Sequence, residues 1–147
     1  MSHVRQQIRE RIAANVTGLT TTGSNVFASR VYNISTSELP ALLVYAISES
    51  SERDSFLSTN GLERSVDILV EGYATNSANL DSVLDTISAE VETAVAGDPT
   101  CNGLCKDIFL SNTDVDLTPD GQKPVGSIKL TFECTYRTTT VAPQTAI

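Results

Sequence analysis

The fold is decided by one stretch, which reads SVDILVEGY at residues 65–73. Val66, Ile68 and Val70 alternate along it, so they share one face of an extended chain, and two acidic side chains fall on the other face. Such alternation is typical of a β-strand with one buried and one wetter face. We therefore predict a strand over Leu62–Tyr73 that packs on one side and meets water or a neighbour on the other.

Two apolar runs before this stretch predict two further strands, Asn25–Tyr32 and Ala41–Ser48. The second run is apolar on both faces. That pattern predicts a central strand covered by helices on one side and by something further, such as a partner subunit, on the other. The link that follows, Glu49–Gly61, is polar and ends in the turn-forming pair Asn60-Gly61. It is either a hairpin extension or a flexible arm.

Helical periodicity appears in two places. Apolar side chains at four-residue spacing predict a first helix that is capped by Ser2 and carries its apolar stripe from Val4 to Val16. A second apolar face extends from Leu80 to Val95. The chain therefore combines strands with two helices, which indicates an α+β domain.

The last part of the chain predicts a short strand, a polar loop and a closing strand. The short strand covers Lys106–Leu110 and the loop covers Ser111–Lys123. The closing strand alternates apolar and polar residues from Ile128 to Arg137. We predict a single domain over residues 1–138, followed by a flexible tail over residues 139–147.

The net charge of −8 has an uneven distribution. Residues 81–120 carry nine acids and one lysine, which accounts for the whole excess. An acidic segment disfavours direct binding of nucleic acid, because phosphates need lysine and arginine. The acidic segment either keeps the protein soluble or forms a surface that nucleic acid passes without adhering.

Few residues are suited to catalysis or metal binding. The only histidine, His3, lies near the N-terminus, so a Ser/His/Asp or Cys/His site has no credible base. Cys101 and Cys105 have three residues between them, whereas zinc and redox pairs usually have two residues between the thiols. We therefore expect free thiols, no metal, no cofactor and no enzymatic activity. The chain has no 18-residue apolar run and no secretion signal, so we expect a cytosolic protein with no membrane segment.

A family resemblance is carried by several stretches. They are VRQQIR at residues 4–9, RVY at 30–32, LPALLVY at 39–45, ERSVDILVEGY at 63–73, one long helix, and FECTYR at 132–137. With these features the chain resembles the tail terminator family of tailed bacteriophages, also called minor tail protein U or tail completion proteins.

The resemblance implies an α+β fold with two helices packed on one face of a mostly antiparallel sheet of about five strands. It also implies a hexameric ring of identical chains at the end of the tail tube, which stops tube growth and offers a surface to the head–tail connector or head-closure protein. The link after the second strand would be an assembly arm. Its expected contacts with a neighbouring subunit are ion pairs and an apolar anchor, made by Glu49, Glu52, Arg53, Asp54, Phe56, Leu57 and Arg64.

DNA would pass through such a ring without specific binding. The acids expected to face the channel are Asp81, Asp85, Glu92, Asp114, Asp116 and Asp120. The resemblance places the protein in the virion tail or neck, and in the host cytoplasm during assembly. Two alternatives stay open, namely another phage head–tail connector or head-closure protein, and a small cytosolic thiol- or metal-binding protein that uses Cys101 and Cys105.

Overall fold

A computed structural model describes residues 2–28, 38–53, 60–75, 79–118 and 125–147 of the 147-residue chain. Its elements are α1 (Val4–Asn15), β1 (Val26–Phe27), β2 (Ala41–Arg53), β3 (Gly61–Thr75), α2 (Leu80–Ala96), β4 (Asp107–Thr118) and β5 (Val125–Thr139). The strands form one sheet in the order β1-β2-β3-β5-β4, in which only the β1–β2 pair is parallel. The predicted α+β class and mostly antiparallel sheet are confirmed.

Both helices pack on the same face of this sheet. The apolar stripe of α1 and that of α2 meet alternate residues of the three long central strands in one buried cluster, whose members include Ile8, Ile12, Leu84, Ile87, Val44, Ile68, Val70, Ile128 and Leu130. This arrangement follows from the two sequence periods, since a helical stripe and a strand face each need a partner surface.

The opposite face of the sheet has a smaller apolar cluster of its own. Leu43 and Tyr45 of β2 and Leu69 of β3 are buried there, with Phe27 and Tyr73 packed against them. The doubly apolar run in β2 therefore has apolar partners on both faces within one chain. The burial of these residues needs no partner subunit.

A β-bulge in β2 changes which side chains face the helices. The register with β3 shifts between Ala46 and Ser48, where Ile47 has no opposite residue. Beyond the shift Glu49 stands opposite Val66, a core residue on the helix side. An uninterrupted alternation would have directed Glu49 to the other face, because a one-residue slip reverses every side chain.

The strands are longer than the sequence predicted. β2 and β3 pair as far as Arg53 and Leu62, so the described ends of the polar link are a hairpin extension. The prediction of a polar loop from Ser111 is wrong over its described part, because β4 continues to Thr118 and pairs with β5 on both sides of an irregularity at Ser111. Backbone pairing with a neighbouring strand outweighs the low strand propensity of asparagine and aspartate there.

The N-cap of helix α1 lies one residue later in the chain than the predicted cap Ser2. The N-cap is His3, whose Nδ1 accepts a hydrogen bond from the Arg5 backbone N–H at 3.0 Å. The predicted helix α2 is confirmed, with Gly97 at its C-terminal cap. The predicted strand Asn25–Tyr32 is represented by β1, and residues 29–32 lie outside the described residues.

The segment after β5 returns to α1. The Val4 N–H donates to the Pro143 carbonyl at 3.0 Å, and the Ile147 N–H donates to the Arg137 carbonyl at 3.0 Å. Ala146 packs against the main core. These contacts within the chain were not expected for a tail described as flexible. Across the described ranges, neither helix has both the length and the apolar character needed to cross a lipid bilayer.

Candidate functional site

The base of the predicted arm holds a cluster of polar side chains centred on Glu49. Its Oε1 lies 2.7 Å from a guanidinium nitrogen of Arg5 on α1 and 3.3 Å from one of Arg64 on β3. The Tyr136 hydroxyl on β5 donates to the other oxygen of the same carboxylate. Arg64 also donates from Nε to the Thr138 hydroxyl at 3.0 Å. We call these five residues the Glu49 cluster.

The Glu49 cluster is largely shielded from water. The side chains of Glu49 and Arg64 are 10% and 12% exposed, and that of Arg5 is 38% exposed. Burial and the hydrogen bond to Glu49 raise the pKa of Tyr136, so its hydroxyl keeps its proton and acts as a donor. The cluster joins the N-terminal helix to three strands, and two guanidinium groups share its one carboxylate.

Two members of the predicted interface, Glu49 and Arg64, are thus paired with each other inside the chain. Glu52 and Arg53 are exposed at the end of β2. Asp54, Phe56 and Leu57 lie outside the described residues. The exposed side chains lie at the described end of β2, whereas Glu49 and Arg64 are engaged within the chain.

Arg5 and Tyr136 are members of the cluster that the sequence did not single out. Arg5 belongs to the polar side of an amphipathic helix, and Tyr136 belongs to the apolar alternation of β5. They are 44 and 87 residues from Glu49 along the chain. The only local signal of such a contact was Glu49 itself, a charged residue directly after the apolar run Ala41–Ser48.

The acids predicted to line a channel lie on two sides of the sheet. Asp81 and Asp85 are exposed on α2, and Glu92 is partly buried and accepts from the Ser88 hydroxyl at 2.6 Å. Asp114 pairs in register with Lys129 on the face away from the helices, and Asp116 follows it on the same face. Asp120 lies outside the described residues. The helix acids and the strand acids therefore point in opposite directions.

The cysteines are internal. Cys101, Cys105 and Cys134 are free and buried. A hydrogen bond with Cys105, together with burial, raises the pKa of Cys101, and burial raises the pKa of Cys134. In the part of the chain that the structure describes, no three His, Cys, Asp or Glu side chains are grouped to hold a metal ion.

These positions predict low thiol reactivity. A thiol reagent is expected to leave the three cysteines of the native protein essentially unlabelled, because all three are buried and the folded chain shields their sulfur atoms from the reagent. Denaturation should expose all three to rapid labelling. Fast reaction of Cys101 or Cys105 in the folded protein would contradict this assignment and revive the thiol-protein alternative.

The described residues form a small α+β domain whose two helices cover one face of a five-stranded sheet. The chain belongs to the phage minor tail protein U family, which it matches over residues 3–136. The resemblance seen in the sequence is thereby confirmed. The protein is a structural phage tail protein and so belongs to the virion.

Comparison with solved structures finds similarity to a chain in the virion of a native gene transfer agent particle. The two chains share 15% sequence identity, 92% of each is covered, and the TM-score is 0.42. No curated protein matches the chain.

Proposed function

We propose that the protein forms a hexameric ring on the end of the phage tail tube. The ring ends tube polymerisation and provides the surface to which the head–tail connector or head-closure protein binds. The observation that carries this proposal is the family match over residues 3–136, which spans both helices and all but the last residues of the sheet. Assembly takes place in the host cytoplasm, and the finished ring lies at the neck of the virion.

The test uses purified tail tubes and purified protein. Negative-stain images should show added density at one end of each tube, and capped tubes should stop elongating when fresh tube protein is added. A matched sample with bovine serum albumin in place of the protein controls for non-specific density. Tubes that stay bare and continue to grow would refute the proposal.

We propose that the β2–β3 hairpin is the assembly arm. Glu52 and Arg53 are exposed at its described end, and the apolar pair Phe56-Leu57 follows them in the sequence. Exposed ion pairs contribute only about 0.2–1 kcal/mol each, whereas burying one large apolar side chain contributes about 1.5–3 kcal/mol. The apolar pair is therefore the main anchor, and the charges set its register on the neighbour.

Replacing Phe56 and Leu57 together with serine is expected to abolish capping while leaving the folded monomer intact. The double substitution Glu52→Ser with Arg53→Ser is the matched control and should weaken capping only slightly, because it removes exposed charges alone. Occupancy of tube ends, counted in negative-stain images, measures both. Normal capping by the Phe56/Leu57 variant would exclude the arm as the interface.

We propose that acids on one side of the sheet line the DNA channel of the ring. The helix acids and the strand acids point in opposite directions, so only one of the two groups can face the channel. At physiological salt a charge acts over about 8 Å, so only acids at the channel surface repel the DNA backbone. A structure of the ring in which neither group faces the channel would refute this proposal.

A further inference from the structure

One edge of the sheet is formed by β4, which pairs only with β5 among the described strands. Residues 29–37, between β1 and β2, belong to the opposite edge. To reach the outer side of β4 and return to β2, they would have to cross the sheet twice, a path of about 40 Å. Nine extended residues span only about 30 Å, so this segment does not cover β4.

The other segments between the described ranges are also too short to cover this edge. The outer side of β4 lies about 14 Å from β3, because two strand spacings separate β3 from β4 and a third leads beyond it. Residues 76–78, which follow β3, span about 10 Å, and residues 54–59 would have to travel the 14 Å twice with about 20 Å of chain. Residues 119–124 join the adjacent strands β4 and β5, so they extend along the edge only near Thr118.

The segment Asn112–Leu117 of this edge presents polar and apolar side chains alternately, and all of them are exposed. Asp114 and Asp116 pair in register with residues on the face away from the helices. Val115 and Leu117 lie on the helix-covered face, yet they are 52% and 44% exposed. A strand that added to this edge would therefore meet an acidic row on one face and an apolar row on the other.

A second copy of the same segment is a poor partner for it. Opposite residues of an antiparallel pair share a face of the sheet. In the two registers that pair most of Asn112–Leu117 with itself, Asp114 would therefore stand opposite Asp114 or Asp116 of the other copy. Such like-charge pairs protect a strand edge from self-association. They do not protect it from a basic strand.

We propose that the edge of β4 along Asn112–Leu117 binds an extended segment of a different protein, with Lys or Arg at alternate positions and apolar residues between them. This chain does not contain such a segment, because two basic residues stand two positions apart only at Arg9 and Arg11, which lie in α1. Backbone pairing supplies affinity in this mode of binding, and the alternate side chains supply specificity. The inference goes beyond the proposed ring and does not depend on it.

The test uses the protein in solution and a heptapeptide of alternating lysine and valine with acetylated and amidated ends. Calorimetric titration should show binding, and hydrogen–deuterium exchange should slow within Asn112–Leu117, because the added ladder engages the outward backbone N–H groups. The same peptide with glutamate in place of lysine should not bind. Neither heat nor slower exchange at about 1 mM lysine–valine peptide would overturn the proposal.

Two methylated peptides separate strand pairing from simple attraction between charges. Alternate N–H groups of a strand point to opposite edges. Methylating the backbone nitrogens of the valines alone, or of the lysines alone, therefore removes the donors from one edge at a time. One methylated peptide should keep its affinity and the other should lose it. Equal affinities for the two would overturn the proposal.

A charge-reversed variant locates the peptide on the protein. Asp114→Lys with Asp116→Lys should weaken binding by about tenfold, since two attractions become repulsions. Glu10→Lys with Glu52→Lys is the matched control, because it makes the same change in net charge at exposed positions of α1 and β2. Circular dichroism checks that both variants are folded. Equal weakening in the two variants would overturn the proposal.

Exchange measurements without peptide test the other occupant of the edge. Protection of Asn112–Leu117 that rises with protein concentration would assign this edge to a second copy of the chain and overturn the proposal. Exchange that is independent of protein concentration is the expected result. None of these measurements involves tail tubes, so their failure leaves the capping function standing, and a failure to cap tubes leaves the peptide result standing.

Discussion

Replacing Glu49 with alanine is expected to lower the free energy of unfolding by about 3 kcal/mol. The carboxylate accepts from Arg5, Arg64 and Tyr136, and its side chain is only 10% exposed. Its removal leaves Arg64, itself 12% exposed, with an uncompensated charge in a poorly hydrated site. For a chain of this size, the loss corresponds to a fall in Tm of roughly 10 °C. Urea unfolding followed by circular dichroism measures the change.

Glu52→Ala is the matched control for this variant, because Glu52 is an exposed glutamate on the same strand. It should change the free energy of unfolding by less than about 0.5 kcal/mol. Arg64→Met supplies a further check, since Glu49→Ala should be less harmful in a chain without the buried guanidinium. Equal effects of Glu49→Ala and Glu52→Ala would show that the Glu49 cluster contributes nothing to stability.

Replacing Gly72 with valine is expected to lower the free energy of unfolding by about 3 kcal/mol, at the upper end of the range for overpacked cores. A Cβ at this position would lie 2.9 Å from Cγ2 of Ile87 on α2, 3.3 Å from Cγ2 of Ile128 and 3.4 Å from Cδ2 of Leu42. All three are fully buried, so none can move aside into solvent. The glycine thus permits the close approach of α2 to the sheet.

Gly97→Ala is the control for the glycine prediction. Atoms near a Cβ at Gly97 are no closer than 3.5 Å, and its φ of −72° suits any residue, so its stability should stay within about 0.5 kcal/mol of the original. Adding Ile87→Ala to Gly72→Val should restore part of the loss, because it removes the side chain that the new methyl groups meet. Urea midpoints that agree for Gly72→Val and Gly97→Ala would contradict the packing argument.

The periodicity of apolar residues predicted the helices and strands well, but it predicted the residues at which they end poorly. The alternation in β3 and β5 and the apolar stripe of α2 are local patterns, and the structure confirms each of them. The second half of β4 has no such pattern, because its polar residues resemble a loop. It is a strand because β5 offers a continuous ladder beside it, and a partner strand is a tertiary property.

The sequence by itself determined the fold class, the helix-covered face of the sheet and the family, because these depend on repeating local patterns and on short matching stretches. Only the tertiary structure decided where Glu49 points and what it binds. A single-residue bulge at Ile47 rotates Glu49 toward the helices, and its partners Arg5 and Tyr136 are 44 and 87 residues away. Register and long-range contacts result from the packing of the whole domain, so no local stretch contains them.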